Sequence, residues 1–251
     1  MTYLKTLSIE YDPDDWIRHG EPLKTSKKYT QTFDHRRISQ VIDRMKILLI
    51  FFDYALREAK IEMKDPAVTT VWIGLSRNPK SELNVSKKNL GIDLDCDPAD
   101  LTDIPKTAEA LGEFALECWE KAIERLEVET DFPAAFVREQ MDKFRAQGYA
   151  MGNSLKPAKI KGSKATARIH GKISCARTEL FVEVSYRKHV LFERKIWDTP
   201  EQAFNIAYTR RDFVVEDGCF KVREAVLGLL PEAVFPLDSL PDDFALTLVE
   251  R

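Results

Sequence analysis

Between Gln147 and Ala165 the spacing of apolar residues changes from steps of three and four to strict alternation. This switch constrains the fold more than any other feature of the chain. A period near 3.6 buries one stripe of a helix, whereas a period of two buries one face of a strand. Before the switch, Ile38, Val41, Ile42, Met45, Leu48, Leu49, Phe52 and Leu56 predict a helix from Asp34 to about Lys60. A second stripe, Ala108, Leu111, Ala115, Cys118, Trp119, Ala122 and Leu126, predicts a helix within Pro105–Glu129. A third runs through Phe136, Val137, Gln140, Met141 and Phe144, with Thr130 or Asp131 as cap and Gly148 as the stop. Shorter runs at Tyr3–Tyr11, Val68–Leu75 and Asn89–Cys96 predict strands, and Trp72 and Trp119 fit core positions.

After the switch the pattern is that of a β-meander. Ala165, Ala167, Ile169, Ile173 and Cys175 fall on one face, and Thr166, Arg168, His170, Lys172 and Ser174 on the other. Leu180, Val182, Val184 and Tyr186 continue the alternation, followed by Val190, Phe192 and Ile196. Thr199-Pro-Glu-Gln reads as a capped helix start, Asp217-Gly218 as a hairpin turn, Glu224–Leu230 as a short helix and the tail FALTLVER as a last strand. The intervening YAMGNSLKPAKIKGSK reads as a linker. The expected fold class is therefore α+β: a mixed α/β layer with three long helices over residues 1–150, then a meander with short helices over 160–251, as two subdomains or one continuous domain.

No motif for chemistry emerges. The four histidines, His19, His35, His170 and His189, show no HxH, HExxH or HxxxH spacing, and no GxSxG, SxxK or P-loop occurs. Cys175 and His170 fall on opposite faces of one strand, which argues against a dyad. The four cysteines lack any CxxC and sit in apolar surroundings typical of reduced thiols. The start, Met1-Thr-Tyr-Leu-Lys, leads straight into strand-like sequence without the basic and apolar regions of a signal peptide. The longest apolar run, Ile47–Phe52, is far short of the roughly 20 residues a membrane span needs. The chain reads as soluble and cytoplasmic, with no catalytic residue, cofactor or metal assigned.

Charge is the remaining signal. A formal net of −3 over 251 residues conceals two opposed stretches. From Asp93 to Asp131 thirteen acidic residues stand against Lys106, Lys121 and Arg125, and from Lys156 to Lys195 eleven Lys and Arg stand against three glutamates. Asp93, Asp95 and Asp97 alternate with Ile92, Leu94 and Cys96 and open like a calcium loop, but the turn-glycine position holds Pro98 and the bidentate-glutamate position Ile104. Three readings follow from the segregation. The first is a non-enzymatic protein-binding factor of the inhibitor or immunity type, covering a basic partner protein with Asp93, Asp95, Asp97, Asp100, Asp103, Glu113 and Glu117, and with Trp16 as an aromatic anchor. The second is a metal-dependent enzyme built on Asp93, Asp95 and Asp97. The third is nucleic-acid binding through Arg168, His170 and Lys172, disfavoured by the acidic pI of 5.9 and by the absence of aromatics on the polar face of that strand. Docking of the two stretches on each other would remove the motive for the first and third readings.

Overall fold

The apolar stripe of the first predicted helix is the buried side of α1 (Phe33–Ala59): Ile38, Val41, Ile42, Met45, Leu48, Phe52 and Leu56 are all removed from solvent, joined by Ile47, while Leu49 is only half-buried. The structure, a computed structural model, describes residues 3–11, 33–64, 66–76, 79–199, 211–224 and 232–249. The fold class is α+β, and the chain divides into two units, Met1–Met151 with Ser174–Ala176 and Gly152–Ile173 with Arg177–Arg251. No described helix is long and apolar enough to cross a membrane.

The first unit holds a four-stranded sheet in the order β1-β2-β4-β3, with β1 (Thr6–Tyr11), β2 (Thr70–Ser76) and β4 (Asn89–Asp95) parallel and β3 (Asn84–Ser86) antiparallel to β4. Leu7, Ile9, Val71, Ile73, Leu75, Leu90 and Ile92 form its buried face. Against that face pack α1 and α3 (Ala108–Glu129), with α2 (Pro98–Asp103) and α4 (Ala134–Ala146) adjoining. Each buried Leu or Ile removes enough apolar surface to contribute about 1.5–3 kcal/mol. Aromatic rings knit the helices together: Phe52 meets Trp119 edge-on at 5.9 Å, and Phe144 lies 5.3 Å from Phe51.

Trp72 departs from the expected core position. It is half-buried on the opposite face of the sheet, where it lies flat over two glycines. A Cβ on Gly91 would come within 2.3 Å of the indole, and one on Gly74 within 2.8 Å of it. Strand alternation decides the outcome, since Val71 and Ile73 already claim the helix-covered side.

Helix ends follow local chemistry. Thr107 caps α3 by accepting the Ala110 N–H at 3.1 Å. The expected caps of α4 serve other roles: Thr130 closes α3 through Leu126, Asp131 accepts the Lys64 N–H at 2.8 Å, and Pro133 stands at the α4 N-cap with no side-chain bond. Gly148, with φ of 67°, ends α4 as predicted. Its N–H reaches Arg145 and that of Tyr149 reaches Phe144, the paired bonds of a Schellman motif.

The second unit holds most of two antiparallel sheets. One carries the order β5-β7-β8-β9 with β6 on β7, from β5 (Ala150–Ser154), β6 (Ala158–Lys159), β7 (Thr166–Ser174), β8 (Thr178–Tyr186) and β9 (His189–Thr199), and its first strand begins in the first unit. The other is β10 (Arg211–Glu216), β11 (Cys219–Glu224) and β12 (Ala233–Pro236). The segment expected to be a linker thus forms two strands, and Ile160 within it is buried with Ala165, Ala167 and Ile169. Phe192 of β9 meets Phe220 of β11 at 6.0 Å, and Phe244 contacts both.

Phe244 sits on α5 (Asp242–Ala245), where a strand was expected. Two aspartates in its first turn and Pro241 before it favour the helical start. Asp217-Gly218 forms the predicted turn, both residues at positive φ, pairing Glu216 with Cys219. The expected helix start at Thr199-Pro200 and the helix at Glu224–Leu230 lie at or beyond the edge of the described residues; Thr199 itself ends β9.

Candidate functional site

The acidic stretch resolves into two populations, separated by what α4 presents to α3. Arg145 grips Glu113 through Nε at 2.9 Å and Nη2 at 3.2 Å, and the Tyr149 hydroxyl donates to the same carboxylate at 2.6 Å. Arg138 bridges Glu120 at 2.7 Å and binds Glu127 with both terminal nitrogens, at 2.8 and 2.7 Å. These bonds hold the Glu113 and Glu127 carboxyls below the usual range, and the bond to Glu113 drives the Tyr149 hydroxyl up to about 12. Glu113, a predicted partner contact, is thus committed within its own unit.

The second population lies at the end of β4, along α2 and on the outer side of α3. Asp95, Asp97, Asp100, Asp103, Glu109, Glu117 and Glu124 are all exposed, against the exposed lysines Lys106 and Lys121. Among the described residues, Asp95, Asp100, Asp103, Glu109, Glu117 and Glu124 form no ion pair, and Glu117 does not reach Lys121 one turn along the helix.

Several of these charges act on two buried thiols. Burial pushes Cys96 up to about 12, with the charges of Asp100, Asp95 and Asp97 adding and that of Lys121 opposing. Cys118 is raised to about 12 by burial, by Cys96 and by Glu117, again against Lys121. One region therefore carries acids from the strand end, from α2 and from mid-α3. Val128, 85% exposed on the same helix, adds an apolar side chain.

Asp93 stands apart. It is half-buried on the Trp72 face, beside Gly74, and accepts the Lys80 N–H at 3.2 Å. Asp93, Asp95 and Asp97 do not bring their oxygens to one point. Among the described residues, the three ligand-bearing side chains that do converge, all within 4.8 Å, are His170, Glu183 and Glu193. The alternating aspartates conceal this because a strand spreads same-face neighbours roughly 7 Å apart.

Part of the meander's positive charge is paired where it stands. Arg168 donates to Glu183 at 2.7 Å, and His170 lies 2.9 Å from Glu193. Lys195 reaches Glu179 at 2.8 Å and Asp198 at 2.9 Å, and Arg177 pairs with Asp198 too. Lys172 is exposed without an ion pair among the described residues. An aromatic does occupy this face: Phe181 of β8 stacks on the His170 ring at 5.7 Å and takes the Lys195 ammonium on its ring, 5.5 Å from the centroid. Reading the first strand alone missed it; the alternation of β8 places Phe181 between the inward Leu180 and Val182.

Trp16 and His19 lie outside the described residues. Comparison with protein-family models, with curated proteins and with solved structures returns no match for this chain.

Proposed function

We propose that this protein is a non-catalytic binding factor that engages a basic partner protein through the acidic surface formed by the end of β4, α2 and the outer side of α3. One observation carries the reading. α4 neutralises the acids on its side of α3, yet exposed carboxylates at Asp95, Asp100, Asp103, Glu109, Glu117 and Glu124 form no ion pair among the described residues. Like charges held together without counterions destabilise a fold, and a cationic partner surface relieves that repulsion. Complementarity of this kind mainly accelerates association and sets specificity. Nucleic-acid binding through the meander has less support, because Arg168 and His170 are already engaged by Glu183 and Glu193.

The test is capture from the source lysate at low salt with the full chain and with Asp95→Lys/Asp100→Lys as baits. The reading expects one basic protein in stoichiometric amount on the wild-type bait, lost at high salt and absent from the variant. Equal capture by both baits would contradict it. So would loss of capture only on Trp16→Ala.

A further inference from the structure

We infer that the outward face of the meander holds a binding site for one divalent transition-metal ion, with His170, Glu183 and Glu193 as its ligands. Three successive strands of the sheet contribute one each: His170 from β7, Glu183 from β8 and Glu193 from the edge strand β9. Their ligand atoms lie within 4.8 Å of one another. His170 and Glu193 come from strands that are not neighbours, and they meet above β8 at 2.9 Å between Nε2 and Oε2. Two ligands each about 2.0–2.1 Å from one ion, at 90–109° to each other, stand roughly 2.9–3.4 Å apart. The separation already present is that of two adjacent ligands on a single ion.

The ligands are also held in position. The His170 ring lies nearly parallel to Phe181, with an interplanar angle of 16°. The Glu183 carboxylate is fixed at both oxygens, Oε2 by Arg168 at 2.7 Å and Oε1 by Ser185 at 3.1 Å. Outer contacts of this kind orient the ligands of metal sites and tune their affinity. Two carboxylates balance a divalent charge, so Arg168 leaves the loaded site mildly cationic. Glu193 is exposed, which leaves the outer coordination positions open to solvent.

The donor set selects the ion. Imidazole nitrogen favours zinc, copper, nickel and iron over magnesium or calcium, and zinc also accepts carboxylate oxygens. All three residues belong to the second unit, so the site is independent of the acidic surface proposed above.

The experiment is equilibrium dialysis of the chelator-treated full-length chain against Zn²⁺, followed by desalting, metal analysis and a thermal melt. The expected result is one retained zinc per chain and a rise in Tm, with Mg²⁺ giving neither. His170→Ala and the isosteric Glu193→Gln should each lose the retained zinc at unchanged circular dichroism, while Lys172→Ala on the same face keeps it. Cobalt in place of zinc should show no thiolate-to-metal charge-transfer band, which separates this site from the cysteines. Failure to retain zinc, retention undiminished in Glu193→Gln, or equal retention of Mg²⁺ would overturn the inference.

Discussion

Helix α3 and the meander carry opposite charge excesses along the sequence, yet they treat those charges alike up to a point. In each, arginines from a neighbouring element seek out the carboxylates: Arg138 and Arg145 of α4 on α3, and Arg168 of β7 on Glu183 of β8. The difference is what remains. On the meander, His170, Lys195 and Arg177 also find acids, so that the carboxylates of that face are paired and the leftover charges are cations such as Lys172. On α3 the cations of α4 reach one side only, and the acids of the other side stay exposed. Charge segregated along a chain is thus a poor guide to charge segregated in space; pairing across elements decides which patch is left for a partner.

The largest effect is expected where charges are left over. Asp95→Lys/Asp100→Lys should weaken partner binding by roughly 100-fold, about tenfold per reversed charge, while Tm stays level or rises as repulsion is relieved. A titration alongside a thermal melt checks both. The matching substitution on the meander, Glu179→Lys, should leave partner affinity unchanged.

Next comes a carboxylate with neither fate. Asp53 on α1 has a buried Oδ1 without a partner and Arg57 only at 3.9 Å. Burial raises its carboxyl to about 6, opposed by Arg57 and by the Leu7 N–H. A raised carboxyl favours the folded state while protonated, so its contribution is lost as pH rises through about 6. Stability should fall by roughly 1–2 kcal/mol between pH 4 and pH 7 from this group, discounted for the quarter of the side chain still solvated, and Asp53→Asn should remove that slope. Denaturant titrations across that range measure it. Glu113 and Glu183 behave oppositely. Their carboxyls are lowered by Arg145 and Arg168, so their stabilisation is present above the ordinary glutamate range and lost as pH falls through the lowered values.

Arg138→Ala should cost about 1 kcal/mol of stability, the scale of a good surface pair, without weakening the partner complex. An affinity loss comparable to that of the aspartate reversal would erase the distinction between paired and unpaired sides. Smallest is a turn effect on the meander. Arg187 and Lys188 both hold positive φ, 49° and 70°, in the two-residue turn joining β8 to β9. Lys188→Gly should stabilise by roughly 0.5–1 kcal/mol in a thermal melt, because glycine adopts that geometry without strain.

Much of the fold was legible because periodicity survives folding. Ala165, Ala167 and Ile169 face inward and Arg168 and His170 outward, as alternation requires, and the stripe of α1 is buried almost residue for residue. Where the reading failed, a non-local cause intervened. Val190 continues the inward pattern on paper but is 58% exposed, because the register shifts between Val184 and Ser185 and pairs it with Ser185. Ala150–Ser154 became a strand because β7 offered an edge, which a Gly- and Lys-rich stretch does not announce. The partners of Glu113 and Glu120 lie 32 and 18 residues away on another helix, so composition showed the acids and not their neutralisation. The convergence of His170, Glu183 and Glu193 was equally hidden, since it depends on the register of three strands.

We propose the unpaired side of α3, and not the paired side, as the working surface. The most direct measurement is the affinity of the captured partner for three chains at low and high salt: wild type, Asp95→Lys/Asp100→Lys, and Glu113→Gln. The predicted result is strong, salt-sensitive binding by the wild type and by Glu113→Gln, with the double reversal reduced to the high-salt level. Binding that survives the double reversal, or that collapses on Glu113→Gln, would contradict the account.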